Sequence, residues 1–237
     1  MTTFCLVHGA WHDGACWAPL VGVLEARGHE CITPVLPLEN LDASFEDYAD
    51  VVIDALCGCE APVLVGHSMS SAVIPLVALD RPVALLVYLC PAMAGFPAPA
   101  GEPPYQRTGY TRPPVDDHGR MCWPRAQAIT QLYARLDRNS AERLAARLRP
   151  QPRAVFNNPY PLTTPPRVPS AFLYARDDEL FDDHWSQWIA RALLRIEPLE
   201  LPGGHFPMLE HPALLADMLE RVTNASSSDK KMADPAK

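Results

Sequence analysis

Short apolar runs alternate along this chain with stretches of helical periodicity. The apolar, β-branched-rich runs predict six strands, at residues 3–7, 31–36, 62–65, 83–89, 170–174 and 196–201. The stretches between and after them predict amphipathic or apolar helices, at residues 17–26, behind an N-cap at Ser44, and at 69–79, 183–194 and 212–222. This alternation is typical of a mainly parallel sheet covered by helices, so the predicted fold class is α/β.

The stretch from residue 91 to residue 169 interrupts the alternation and holds 15 of the chain's 26 prolines. Proline resists both helix interiors and central strands, so this stretch does not continue the sheet. It predicts one helix that begins at Pro124 and a second helix over 140–148. We interpret residues 92–168 as a proline-rich helical lid that is inserted into the core.

The predicted domain organisation follows from these patterns. Residues 1–91 and 169–225 would form one α/β core, interrupted by the insertion. The small and polar residues 226–237 are predicted to be a disordered tail.

Composition and charge restrict the kinds of binding partner and the cellular compartment that we expect. The net charge of -8 disfavours nucleic acid and anionic membranes as partners, and no apolar run is long enough for a membrane span. The cysteine count is odd, 7, and several cysteines lie in apolar runs, so we expect reduced thiols and a cytoplasmic protein. Cys57 and Cys59 have no second pair at zinc-like spacing, so no metal site is predicted. The expected partner is a small acyl substrate, and a homodimer is left open.

The pentapeptide Gly66-His67-Ser68-Met69-Ser70 lies between a predicted buried strand and an apolar helix. A serine in this setting occupies a sharp strand-to-helix turn that exposes its hydroxyl at the edge of the sheet. Small residues two positions before and after the serine let the strand and the helix approach each other. Here Ser70 takes the place of the usual second glycine. The motif predicts Ser68 as a nucleophile.

A serine hydroxyl attacks well only when a base accepts its proton, and that base needs an acid to orient it. On α/β sheets of this kind the chain order is Ser, then Asp or Glu, then His. The segment Arg176-Asp177-Asp178-Glu179 follows one predicted strand, and Gly203-Gly204-His205 follows the next. We predict His205 as the base. We favour Asp177 as the acid because it comes first after its strand, and Asp178 and Glu179 stay open.

The charge that develops on a substrate carbonyl requires N–H donors, an oxyanion hole. The amide of Met69, at the start of the helix after the serine, is one predicted donor, and the amide of Ala10, in the loop after the first strand, is the other. Aromatic and imidazole side chains are predicted to bind substrate: Trp11 and His12 in the loop after the first strand, Tyr133 in the lid, and Phe206 beside His205.

Three segments together resemble a known family. They are the loop His8-Gly9-Ala10-Trp11-His12, the serine pentapeptide, and the stretch from Pro202 to Pro212. They are similar to the α/β-hydrolase family that includes plant methylesterases, hydroxynitrile lyases and bacterial esterase relatives. The resemblance covers residues 3 to about 222. It implies a mainly parallel sheet of about six strands with a helical lid, a triad of Ser68, Asp177 and His205, and oxyanion amides at Ala10 and Met69. The family usually has Gly-Gly where this chain has Ser70-Ser71.

The expected function is hydrolysis of a small carboxylic ester, lactone or related acyl compound through an acyl-enzyme, with no cofactor. Lyase or cyclase chemistry on the same scaffold is the first alternative. The hydroxynitrile lyases of the family carry Thr and Lys where this chain has Gly9 and Phe206, which disfavours cyanohydrin cleavage. A ligand-binding relative without turnover is the second alternative.

Overall fold

The structure is a computed structural model that describes residues 1–233. Its strands in chain order are β1 (Thr3–Val7), β2 (Glu30–Ile32), β3 (Val63–His67), β4 (Leu85–Leu89), β5 (Arg120–Met121), β6 (Gln151–Pro152), β7 (Ser170–Ala175) and β8 (Leu199–Leu201). Its α-helices are α1 (Ala18–Ala26), α2 (Phe45–Ala55), α3 (Ile74–Asp80), α4 (Arg125–Gln131), α5 (Arg138–Ala145), α6 (Asp183–Ile189), α7 (Pro207–Glu210) and α8 (Pro212–Ala233).

Six strands form one sheet in the order β2-β1-β3-β4-β7-β8, and every pairing in it is parallel. Strands β3 and β4 are buried along their whole length, as their continuous apolar sequences require in a sheet covered on both faces. The predicted fold class is therefore confirmed. Because the strands are parallel, the segments that follow β1, β3, β4, β7 and β8 all emerge at the same edge of the sheet.

Prolines set several boundaries that differ from the predicted ones. Strand β2 ends at Ile32 and not at residue 36, since Pro34 offers no N–H for pairing. Strand β8 likewise begins only after Pro198. The predicted helix at 69–79 is divided into a 3-10 turn, Ser68–Ala72, and helix α3, which has Pro75 in its first turn.

The segment between β4 and β7 contains the antiparallel pair β5–β6 and the helices α4 and α5. Arg149 of this segment is bonded to the core. Its amide donates to the carbonyl of Trp11 (2.8 Å), and its guanidinium donates to the carbonyl of Leu36 (3.0 Å). The segment is thereby fixed to the loop that follows β1.

At the C-terminus, helix α8 continues to Ala233. The prediction of a disordered tail from residue 226 is therefore wrong for residues 226–233. No proline or glycine interrupts the sequence between Pro212 and Pro235, so nothing in the chain stops the helix earlier. The remainder of the predicted tail, residues 234–237, lies outside the described residues.

Among the helices of residues 1–233, none combines the length and the apolar character that crossing a bilayer requires.

Candidate active site

Ser68 occupies a strained turn between β3 and the 3-10 turn that follows it. Its backbone has φ 51°, in the left-handed region that residues other than glycine rarely adopt. The strand and the turn are so close that a Cβ placed on Gly66 would lie 2.6 Å from the carbonyl oxygen of Ser70. Glycine is therefore required two positions before the serine, and the turn is a nucleophile elbow in its geometry.

The two serines that follow Met69 are both buried and bonded. The Ser70 hydroxyl donates to the carbonyl of His8, at the end of β1. The Ser71 hydroxyl accepts a hydrogen bond from the amide of Met93 at 2.9 Å. The departure from Gly-Gly thus supplies two bonds that connect the elbow with the loops after β1 and β4.

The acid that contacts His205 is Asp178. Asp178 Oδ2 lies 2.7 Å from His205 Nδ1, and the two side chains are 3% and 2% exposed. Asp178 Oδ1 accepts the amide hydrogens of Leu180 (2.8 Å) and Phe181 (3.0 Å), so this carboxylate is fully bonded. The prediction that Asp177 is the orienting acid is therefore wrong. Asp177 is 44% exposed and lies 3.5 Å from Arg135.

The orienting acid lies one residue later than predicted because of the path of the backbone after β7. Strand β7 ends at Ala175, but the inter-strand bonding continues, because the Asp177 amide donates to the carbonyl of Gly203 at 3.1 Å. Residues 176 and 177 nevertheless form a turn, which the Asp178 amide closes by donating to the carbonyl of Ala175 at 3.3 Å. This turn leaves the Asp177 side chain at the surface and the Asp178 side chain buried against His205.

Two carboxylates hold the backbone around His205. Glu210 Oε2 accepts the amide hydrogen of Gly204 (2.9 Å), and Glu179 Oε2 accepts that of His205 (2.9 Å). The Glu179 carboxylate fills the position that a Cβ on Gly204 would take. Burial raises the pKa of Glu179, although the bond from the His205 amide opposes this effect. We call residues 203–206 the base loop.

The base loop is in direct contact with the elbow. His67 Nε2 lies 2.8 Å from the carbonyl oxygen of His205, so this nitrogen carries the hydrogen. The rings of His67 and His205 have their centroids 4.7 Å apart. Burial lowers the pKa of His67 well below its usual value, so it is a neutral donor that joins the residue before Ser68 to the candidate base.

Ser68 lies at a cavity of about 430 Å³ that the core and the 92–168 segment enclose together. Both predicted oxyanion residues, Ala10 and Met69, line this cavity beside Ser68. Most of the other lining residues are apolar, among them Met93, Phe96, Phe181 and Trp185. The cavity is thus suited to apolar groups on either side of an attacked carbonyl.

Of the four residues predicted to bind substrate, only Trp11 lines this cavity. His12, Tyr133 and Phe206 are buried against one another, with ring centroids 4.9 Å (His12–Phe206) and 5.4 Å (Tyr133–Phe206) apart. The structure therefore places these three side chains outside this cavity, in contact with one another.

Within residues 1–233, one group of side chains is close enough to ligate a metal, Cys90, Asp178 and His205, whose donor atoms lie within 4.8 Å of one another. Burial raises the pKa of the Cys90 thiol, and the neighbouring Asp178 carboxylate raises it further. Asp178 and His205 are already bonded to each other. The group therefore consists of the hydrogen-bonded Asp178–His205 pair with a neutral thiol beside it.

The sequence patterns missed several residues that shape the site. Glu210 and Cys90 belong to no motif that identifies a role for them. Glu179 was considered only as a possible acid, and not as a support for the base loop. Arg135, which lies 2.9 Å from Glu179, is more than 40 residues away from it in the chain. Such long-range ion pairs leave no local signal in a sequence.

Known proteins resemble this chain in sequence and in fold. Residues 6–218 match the Alpha/beta hydrolase family. The pyrethroid hydrolase of Sphingobium wenxiniae is 37% identical over 101 residues, and Esterase PIR7B of Oryza sativa subsp. japonica is 33% identical over 104 residues. The crystal structure of a pyrethroid hydrolase from Sphingobium faniae JZ-2 superposes with a TM-score of 0.79 at 22% identity, covering 96% of this chain and 99% of that chain.

The two sequence matches are partial. Each covers 38% of this chain, and the chain spans 35% of the pyrethroid hydrolase and 38% of the rice esterase. The structural likeness, at 22% identity, concerns the fold alone.

Proposed function

The chain belongs to the alpha/beta hydrolase family, and from that premise we propose that it is a serine hydrolase that cleaves carboxylic esters with Ser68, His205 and Asp178 as its triad. The observation that carries the proposal is the buried bond of 2.7 Å between Asp178 and His205, at the sheet edge where Ser68 occupies a strained elbow. A general base requires a carboxylate bonded to its far nitrogen, and a protein that only binds ligand does not need this pair together with a strained serine turn.

In the proposed mechanism the Ser68 hydroxyl attacks the ester carbonyl while His205 Nε2 accepts its proton. Asp178 holds the other nitrogen, Nδ1, in its protonated form and stabilises the imidazolium that results. The amides of Ala10 and Met69 donate to the oxyanion. His205 then protonates the leaving alcohol, and the acyl group stays on Ser68. Water, activated by His205, releases the acid and restores the serine.

The apolar cavity supports uncharged esters with an aliphatic or aromatic acyl group as substrates. The names of the relatives, a pyrethroid hydrolase and an esterase, support cleavage of the same bond. Residues 92–168 would act as the lid that determines which groups fit, because they contribute Met93, Phe96 and Tyr110 to the cavity. The seven free cysteines are consistent with a reducing compartment such as the cytoplasm.

The test is hydrolysis of p-nitrophenyl esters of increasing acyl length by the wild type and by Ser68→Ala, with intact-mass measurement after fluorophosphonate treatment. We expect turnover and a single adduct in the wild type and neither in the variant. Ser227→Ala, at an exposed position on helix α8 where the hydroxyl donates to the carbonyl of Thr223, serves as the matched control and should behave as the wild type does. A folded wild type that gives neither turnover nor adduct would show that the proposal is wrong.

A further inference from the structure

The turn that follows α4, residues 132–136, connects two loops of the candidate site that are far apart in the sequence. Tyr133 is 1% exposed and points towards the loop after β1. Arg135, two residues later, points towards Asp177 and Glu179 in the segment after β7. Neither side chain lines the cavity that contains Ser68.

Tyr133 acts on the loop after β1 through His12. The Tyr133 hydroxyl lies 2.7 Å from His12 Nε2, and His12 Nδ1 lies 2.8 Å from the carbonyl oxygen of Ala10. Burial lowers the pKa of His12 to about 4, so at neutral pH the ring carries one hydrogen. A carbonyl oxygen can only accept, so that hydrogen is on Nδ1, and Tyr133 donates to Nε2. This chain of two bonds restrains residue 10, whose amide is a proposed oxyanion donor.

Arg135 acts on the base loop through Glu179. Its Nε lies 2.9 Å from Glu179 Oε1, while Glu179 Oε2 accepts the amide hydrogen of His205 at 2.9 Å. The carboxylate is largely buried and already has Asp178 and Glu210 as like-charged neighbours. Arg135 therefore supplies the cation that this carboxylate needs in order to stay charged and keep its bond to His205.

We propose that residues 132–136 form a strut between the loop after β1 and the base loop, in which Tyr133 and Arg135 are positioning residues for the oxyanion amide and for His205. The inference rests on the proposed function. The strut holds the amide of residue 10 and the ring of His205 at fixed positions relative to Ser68. The distances from these two groups to the reacting atoms matter most in the transition state. Displacements near 1 Å in such groups cost up to about 10²-fold in rate. Substrate binding is untouched, because the strut lies outside the cavity.

The kinetic test compares Tyr133→Phe and Arg135→Gln with the wild type. Each variant should lower kcat by about tenfold and leave KM within about twofold, because a small displacement of a positioned group slows the reaction without removing a substrate contact. Arg135→Lys should recover most of the kcat, since it restores the cation beside Glu179. The controls are Tyr174→Phe, which removes the bond to Glu200 at the outer end of the sheet, and Arg138→Gln, which removes an exposed ion pair with Glu142. Both controls should retain the wild-type kcat.

Hydrogen exchange measured by mass spectrometry tests the strut independently of catalysis. Tyr133→Phe should accelerate exchange in peptides that cover residues 8–12, and Arg135→Gln should do so for residues 203–206, with no change in β3 or β4. Unchanged kcat and unchanged exchange in both variants would overturn the strut. So would a matching loss of kcat in the two controls. A wild type without ester turnover would overturn the proposed function, while the exchange rates would still decide the strut.

Discussion

Asp178 Oδ2 and His205 Nδ1 are 2.7 Å apart and both nearly inaccessible to water. Asp177, the neighbouring residue, lies at the surface beside Arg135. Two adjacent and chemically identical carboxylates therefore occupy opposite environments, and only one of them can fix the tautomer of His205.

Asp178→Asn should abolish most of the ester turnover. An amide at this position can donate to Nδ1 and so favour the wrong tautomer, a change that costs on the order of 10⁴-fold in kcat in a serine protease triad. Asp177→Asn is the matched control, and its kcat should stay within about threefold of the wild type. Steady-state kinetics with one p-nitrophenyl ester decide the matter, and comparable losses in the two variants would contradict the assignment.

The difference between Asp177 and Asp178 illustrates which features of the site can be predicted from the sequence and which cannot. The alternation of apolar runs predicts the parallel sheet, and the order of Ser68 and His205 along the chain predicts which loops meet. Which acid faces His205 depends on the turn that follows β7 and on the bond from the Asp177 amide to the carbonyl of Gly203, 26 positions away, and such a contact leaves no local signal in the sequence. The sequence also does not predict that Tyr133 and His12 lie outside the cavity, because aromatic character does not reveal which side of a loop a ring packs against.

Gly204→Ala should damage both stability and catalysis. The added Cβ would overlap the Glu179 carboxylate that accepts the His205 amide hydrogen, and this carboxylate is confined by burial. Overpacking of this kind costs about 1–3 kcal/mol of unfolding free energy, and the displaced base should lower kcat as well.

Gly22→Ala is the control for that substitution. Gly22 lies on the exposed face of α1, and a Cβ there meets no atom within 4 Å. Alanine is the better helix former by about 1 kcal/mol, so this variant should be unchanged or slightly more stable. Denaturant unfolding of both variants, together with kcat, checks the pair. A Gly204→Ala protein as stable and active as Gly22→Ala would contradict the described packing.

The unfolding free energy should fall as the pH is lowered, partly because of His8. Its Nε2 accepts the Leu36 amide hydrogen (3.0 Å), and its Nδ1 lies 2.9 Å from the carbonyl oxygen of Gly9, so the ring is held in its neutral form. Burial lowers the pKa of His8 to about 4, whereas the unfolded chain titrates near 6.5. Between these values the unfolded state binds more protons. The contribution of His8 is thus fully present above about pH 6.5 and is lost as the pH falls through 4.

His8→Gln should weaken this pH dependence. Between pH 7 and pH 4.5 the His8 contribution to the unfolding free energy changes by about 2 to 3 kcal/mol, and the variant should lack that change. His184→Gln, at an exposed position on α6, should keep the wild-type dependence. Denaturant unfolding followed by tryptophan fluorescence at several pH values measures the slope. Equal slopes for the wild type and His8→Gln would show that His8 is not the group responsible.

The two elbow serines should have separable effects, because they bond to different loops. Ser70→Ala removes the donor to the carbonyl of His8, and Ser71→Ala removes the acceptor of the Met93 amide. Each leaves one buried backbone group without that partner, so each should lower the unfolding free energy by about 1–3 kcal/mol.

Ser70 supports the loop that holds Ala10, so its loss should lower kcat. Ser71 supports Met93, which lines the cavity, so its loss should mainly raise KM. Kinetics at fixed temperature, well below both unfolding transitions, separate the two effects. If both variants changed kcat and KM alike, the serines would support the elbow as a whole and not its two neighbouring loops individually.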